Sequence, residues 1–407
     1  MTISNMTTTS MNSINIITTA NATANATANY AENAPSSCTP IQLIVANRCG
    51  ESIWPGIVTQ NGIGPGTGGF ELTPGTSRTM FVSPDWAGRI WGRTNCSFNA
   101  DGSGPNTYSG VDGYGAACVT GDCLGKLDCP SAGRVPATLA EFTLQGGSAH
   151  NQTFYDISLV DGYNLPLAII YHPDPSTSWI PPNLTNCACI ASAGYISPYS
   201  FPDFTSLNTN ATYPMPYEST QTNETLQTWC PHSSSPFFSS VQQDSTKPES
   251  FDSAAILPLP PPQACLSACS RTHAAADCCT GPHYGSPGAC EPGPYARRAK
   301  RVCPDAYSFP FDDAAGTFVV PAFFATTTGS TTNGSTIGDD SGGAGSATKG
   351  WEVRFCPQGR STDILATFGD EVRTIGAGRG LTAEGWRKVR DKGYGKGHWK
   401  TRRRRRR

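Results

Sequence analysis

Cys118-Val-Thr-Gly-Asp-Cys123-Leu-Gly-Lys-Leu-Asp-Cys129 sets three cysteines in one short, glycine-broken run. Outward from it the chain continues the pattern. Cys38, Cys49 and Cys96 precede it. Cys187-Ala-Cys189, Cys230, Cys265-x3-Cys269, the adjacent Cys278-Cys279, Cys290, Cys303 and Cys356 follow. Sixteen cysteines in all, an even and dense set, predict a disulfide framework. Such frameworks persist in oxidising compartments, so a secreted protein is expected. Zinc is the competing use of cysteine, but it favours paired CxxC units or CxxC with paired histidines. The spacings here are CxC, Cx3C, Cx4C, Cx5C and CC, with six histidines scattered between positions 150 and 398. No metal and no cofactor are expected.

Composition agrees with a β-rich, loop-rich chain. Charged residues make up 15% of the 407, beside 43 glycines and 33 prolines. That suits short strands joined by turns. The net charge of −2 hides two opposite parts. Residues 1–360 hold 15 Lys and Arg against 26 Asp and Glu, whereas residues 361–407 hold 14 against 5. An acidic body repels nucleic acid, and no nucleic-acid partner is expected for it. No apolar run reaches transmembrane length. The opening residues lack an apolar signal-peptide core, Ile14-Asn-Ile-Ile17 being too short. Nine Asn-x-Ser/Thr triplets, at Asn5, Asn21, Asn25, Asn95, Asn151, Asn183, Asn210, Asn223 and Asn333, agree with a secretory route.

Residues 1–37 read as a disordered polar tract. Strands are predicted over 41–46, 79–82, 88–94, 139–144, 154–160, 165–171 and 351–355, each apolar or alternating and bounded by Gly, Pro or Asn. Their spacing predicts a β-sandwich, built from 38–173 together with 304–358. A small module over 112–135 sits within it. Between 174 and 303 prolines cluster and strand periodicity fades, which predicts a disulfide-rich loop domain. It carries polar insertions over 190–229 and 231–262. Residues 325–349 read as a Thr/Gly/Ser loop, and 359–407 as a basic, disordered tail ending in Arg402–Arg407.

These blocks resemble the thaumatin-like, pathogenesis-related protein family, which includes osmotin. The resemblance rests on Cys118–Cys129 and on Asn47-Arg-Cys49, Ile90-Trp-Gly-Arg-Thr-Asn-Cys96, Pro136-Ala-Thr-Leu-Ala-Glu-Phe-Thr-Leu144, Phe154-Tyr-Asp-Ile-Ser-Leu-Val-Asp-Gly-Tyr-Asn164, Cys303-Pro-Asp-Ala-Tyr-Ser308 and Arg354-Phe-Cys-Pro357, in order. It covers about 41–358, less the insertions. It implies a mainly β fold: a thaumatin-like sandwich, a disulfide-rich loop domain, a small third module, and an acidic cleft between the first two. It also implies the bridges Cys49–Cys356, Cys96–Cys118, Cys123–Cys129, Cys189–Cys303, Cys230–Cys265, Cys269–Cys278 and Cys279–Cys290. The family has a further cysteine between the positions of Cys303 and Cys356, absent here. Cys38 and Cys187 are left over. A bridge between them is the expectation, with Cys189 able to exchange roles with Cys187.

The resemblance carries over a cleft set of Arg89, Glu141, Asp156, Asp161 and Asp305 as sugar-binding residues. Strand parity supports part of it. Glu141 faces opposite to Ala140 and Phe142, and Asp161 can join Asp156 only if the strand ends or bulges between them, for which Asp161-Gly162 is a turn signal. Two carboxyls in different environments are what glycoside hydrolysis needs. Glu141 is the candidate acid, with Asp156 or Asp161 as the ionised partner. The plainer reading is a cleft that binds sugar without cutting it. No Gly-x-Ser-x-Gly elbow occurs, and Gly62-x-Gly64-x-Gly66 lacks a strand–helix setting. Trp54, Trp86, Trp91 and Trp179 read as core or rim. The resemblance implies a secreted monomer that binds β-1,3-glucan or fungal wall polysaccharide, with weak endo-β-1,3-glucanase or membrane-permeabilising activity in some members. An inhibitor of secreted hydrolases, acting through exposed loops, is the alternative.

Overall fold

The computed structural model describes residues 39–105, 117–173, 177, 179–191, 229–230, 264–285, 288–322, 350–358 and 361–393. Among these residues ten strands form two five-stranded sheets. They are β1 (Ile41–Asn47), β2 (Trp54–Asn61), β3 (Ser77–Val82), β4 (Ala87–Arg93), β5 (Leu139–Gly146), β6 (Gln152–Ser158), β7 (Leu167–His172), β8 (Cys187–Cys189), β9 (Phe318–Pro321) and β10 (Gly350–Phe355). One sheet runs β3-β1-β10-β7-β8 and the other β2-β4-β5-β6-β9. Only β1 and β10 pair in parallel among these strands. First and last strand therefore lie side by side, and Cys49–Cys356 ties their ends.

The sandwich forms because the inward residues of each strand are large and apolar. Trp351 sits between the sheets, its ring 4.5 Å from that of Tyr155, 4.9 Å from Tyr171 and 5.5 Å from Phe142. Trp86 and Trp91 are buried, while Trp179 is exposed at the rim. One buried charge cluster interrupts the first sheet. Glu352 holds Arg354 at 2.6 Å and His172 at 3.6 Å. Burial works against its charge, but His172 and Arg354 outweigh it and hold the carboxyl down at about 2.

The small module is anchored by two polar side chains. Asp122 accepts the N–H groups of Ala117, Cys118 and Gly125. Arg93, fully buried, donates to the carbonyls of Trp54, Lys126 and Leu127 at 2.7–2.8 Å. It thereby fastens the module to the edge of the second sheet.

All seven implied bridges are present, with Cα separations of 4.0–6.0 Å. The expected Cys38–Cys187 bridge is not: Cys187 is a free, buried thiol, and Cys38 lies outside the described residues. The loop domain carries the helices α1 (Ala268–Thr272), α2 (Ala275–Cys278) and α3 (Pro294–Val302). Most of the insertions, the 325–349 loop, residues 1–37 and Arg402–Arg407 fall outside the described residues. Trp229 does not belong to a polar insertion. It is buried between Tyr163 and Tyr295, donating to the Ala191 carbonyl.

The largest correction concerns the C-terminal segment. After the short α4 (Asp313–Gly316), the chain forms α5 (Ile364–Gly376) and α6 (Ala383–Gly393), where a disordered tail was expected. Ile364, Leu365, Phe368, Val372 and Ile375 are buried, at helical spacing, with α5 lying along β9. Gly376 permits the close approach, since a Cβ there would stand 2.3 Å from Val319. Ser361 and Thr362 bond the backbone of β8 and Ile190, and Gln152 donates to the Gly376 carbonyl. α5 thus spans between the outer strands of both sheets. α6 folds back onto it, with Val389 buried and Lys388 2.8 Å from Glu371. No helix among the described residues is long and apolar enough to cross a membrane.

Candidate functional site

Register places the acidic cluster. In the second sheet Arg89 on β4 lies opposite Glu141 on β5, and Glu141 lies opposite Asp156 on β6. Directly opposed residues project to one face, so these three form a row across the strands. The next row, Ile90, Ala140 and Ile157, is buried on the other face. Arg89 stands 3.3 Å from Glu141, and both side chains stay partly exposed, at 25% and 29%.

Asp161 joins from beyond the strand. β6 ends at Ser158, and the chain turns through Leu159–Gly162, closed by the Gly162 N–H on the Leu159 carbonyl. Gly162 takes φ +99°, and a Cβ there would meet the Cys265 carbonyl at 2.4 Å, so the turn requires glycine. The turn sets Asp161 in the field of both Arg89 and Glu141.

Asp305 does not join the row. It is 2% exposed, and its two oxygens accept the N–H groups of Ile364 and Leu365, each at 2.8 Å. The carboxylate is occupied as a cap for the first turn of α5. Its expected place in a sugar-binding set is corrected by this contact. Two residues the sequence reading passed over stand beside Asp156 instead. Tyr307 follows Ser158 in a short parallel bridge and donates to Asp313 at 2.8 Å. Asp313 is exposed at the start of α4, and its charge reaches Asp156. The signal available was the Asp312-Asp313 pair shortly after the Cys303-Pro-Asp-Ala-Tyr-Ser308 block.

The two central carboxyls differ in environment. Burial raises the proton affinity of Glu141 and the charge of Asp161 adds to it, while Arg89 and a Ser158 hydrogen bond oppose the rise. Asp156 is pushed well up, first by burial, then by Glu141 and Asp313, with Arg89 opposing. Its Oδ1 is buried with no hydrogen-bond partner. Electrostatics therefore favour the proton on Asp156 and the charge on Glu141 beside Arg89. Facing each other across one strand gap, they titrate as a pair.

This has a stability consequence. A raised carboxyl pKa means that folding takes up a proton between the ordinary Asp value and the raised one, so stability falls as pH rises through that window. Asp156→Asn removes the penalty. It is expected to melt about 2–4 °C above wild type at pH 7, as a relief of roughly 1 kcal/mol would give. The gain should vanish below about pH 4, where both forms are neutral. Thermal melts at pH 3.5 and 7 check this, and an equal gain at both would contradict it.

Comparison with known proteins agrees with the architecture. A model of the thaumatin family matches residues 47–328. Thaumatin-like protein 1 of Arabidopsis thaliana is 34% identical over 282 residues, covering 68% of this chain and 80% of that protein. Pathogenesis-related thaumatin-like protein 3.5 of Cryptomeria japonica is 33% identical over 276 residues, covering 67% and 83%. A solved thaumatin-like xylanase inhibitor is 32% identical over 31% of this chain and 74% of that one, at a TM-score of 0.23, too low to bear on the site. The cysteine ladder, the paired sheets and the family match all describe one thing: the chain belongs to the thaumatin family.

Proposed function

We propose that this protein is secreted, is glycosylated, and binds β-1,3-glucan chains along the open face that carries Arg89, Glu141, Asp156 and Asp161. The observation that supports this most is the Arg89–Glu141–Asp156 row, partly solvent-facing, with a buried Asp156 oxygen that has no internal partner. Ionised Glu141 and Asp161 accept hydrogen bonds from sugar hydroxyls, Arg89 donates to them, and protonated Asp156 does either. Tyr307 and Asp313 extend the polar lining on the β6 side. Fungal wall polysaccharide fits the same chemistry, and membrane permeabilisation is a secondary activity outside this face.

Slow hydrolysis is a second reading, and the pairing of Glu141 with Asp156 favours it. Directly opposed side chains on adjacent strands stand about 5 Å apart at Cβ. Such hydrolysis is retaining if the carboxyls themselves stand at about 5–5.5 Å and inverting if they stand at about 6.5–9.5 Å. In that chemistry Asp156 gives its proton to the glycosidic oxygen and Glu141 meets the developing positive charge at the sugar carbon. This exchanges the roles the sequence suggests. Inhibition of a secreted hydrolase would use exposed loops and leave the row idle.

Retention on insoluble β-1,3-glucan, with reducing-end release measured alongside, tests both readings. Glu141→Gln is expected to lower the affinity for glucan by about tenfold to a hundredfold, as loss of a charged hydrogen-bonding group of about 1.5–3 kcal/mol implies, and to abolish any sugar release. Unchanged retention would remove the row from the binding site.

A further inference from the structure

Three Asn-x-Ser/Thr triplets fall within the described residues, and the fold separates them. Asn95 is exposed in the turn that follows β4, in the left-handed conformation at φ 48°. Asn151 is exposed in the connection between β5 and β6. Asn183 is only 6% exposed, within a single 3-10 turn over Pro182–Leu184, and its Nδ2 is buried without a partner.

We infer that Asn95 and Asn151 carry N-linked glycans in the secreted protein and that Asn183 does not. The inference rests on the secretory reading above and is independent of what the acidic face binds. In the transfer, the side-chain amide nitrogen forms a bond to the anomeric carbon of a lipid-pyrophosphate-linked oligosaccharide. The bond from that carbon to the phosphate oxygen breaks, the lipid pyrophosphate leaves, and the amide loses one proton. A glycan built on Asn95 or Asn151 projects into solvent in the finished fold. One built on Asn183 would have to enter packed protein beside Leu184 and Thr185, both at 1% exposure.

The hydroxyl of the Asn151 triplet adds an ordering in time. Thr153, the third residue of the Asn151 triplet, is fully buried and donates to the Leu144 carbonyl at 2.6 Å. Its hydroxyl is therefore open to a transferase only before the β5–β6 hairpin closes. Cys96, the middle residue of the Asn95 triplet, is bridged to Cys118 in the finished fold. Asn151 is thus filled on the nascent chain, whereas Ser97, the hydroxyl of the Asn95 triplet, stays exposed in the finished fold. Selection against Asn183 then comes from folding: a chain carrying a glycan there cannot seal that turn and is held back from export.

The two accepted sites flank the acidic row. Asn95 lies six residues beyond Arg89 toward one end of the sheet, about 20 Å at strand rise. The β5–β6 connection lies at the other end, about 17 Å from Glu141. The row between them stays clear of both attachment points.

The test uses the full chain, delivered into the secretory route of a eukaryotic host by an added leader. The exported protein, with its bridges intact, is treated with peptide N-glycosidase in 18O water and mapped by mass spectrometry. Labelled Asp is expected at positions 95 and 151 and unlabelled Asn at 183. Asn95→Gln and Asn151→Gln should each remove one glycan from the intact mass, and Asn183→Gln none. An unmodified Asn95 or Asn151 in the exported wild type, or a glycan on Asn183, would overturn the inference. The labelling result stands on wild type alone, so a variant that fails to fold does not blunt it.

Discussion

A chain lacking residues 361–393 is expected to lose cooperative folding. Ile364, Leu365, Phe368, Val372 and Ile375 are all buried against the body, each worth about 1.5–3 kcal/mol. Together they rival the whole stability margin of a typical domain, about 5–15 kcal/mol. Their removal also strips two N–H donors from the buried Asp305 carboxylate and uncovers β9. A narrower version isolates packing from chain length. Phe368→Ala should cost about 3–5 kcal/mol, because the side chain is completely buried and leaves a cavity. Urea unfolding followed by tryptophan fluorescence reads both. A truncated chain that melts like the full one would show that α5 rests on the surface without stabilising it.

The second large effect belongs to Cys49–Cys356. Replacing both cysteines by serine is expected to cost about 2–5 kcal/mol, because the bridge spans 307 residues and restrains the unfolded chain. The strand pair should loosen as well, because the bridge closes the end of the parallel β1–β10 pair beyond Asn47 and Phe355. Chemical unfolding of the double variant under oxidising conditions measures this, with the other bridges kept. A loss below 1 kcal/mol would mean that strand pairing alone fixes the termini of the sandwich.

Much of the fold is legible because it is local. Strands β1, β3, β4, β5, β6, β7 and β10 announce themselves by alternation between turn residues. Strand β2 does not, because Pro55-Gly56 reads as punctuation. In the fold that glycine is required, since a Cβ at Gly56 would lie 2.5 Å from the Trp91 ring. Strand β8 is three residues long and β9 four, too short for periodicity to show. Helix α5 had a readable signal in the spacing of Ile364, Leu365, Phe368, Val372 and Ile375, masked by the basic composition around it.

The site divides in the same way. Arg89, Glu141 and Asp156 come from the family resemblance, with parity along β5 supporting Glu141, while their alignment in one row is set by strand register. Asp305 could not be placed. Its partners are backbone N–H groups about sixty residues later, contributed by a helix that the family-like blocks do not contain. Nor could the proton be assigned. Which carboxyl keeps it depends on relative burial and on Asp313, both consequences of tertiary packing.

The parallel pairing of β1 with β10 sets a schedule for synthesis. At about 5–20 residues per second, roughly 15–60 s pass between the emergence of Cys49 and that of Cys356, which follow 307 residues apart. Throughout that interval the first sheet lacks its middle strand, and β1, joined by β7 once that strand has emerged, offers a bare hydrogen-bonding edge. The second sheet can assemble its β2, β4, β5 and β6 hairpins as they leave the ribosome. The nascent protein is therefore half built for most of its time on the ribosome, with those edges waiting for the last strand to arrive.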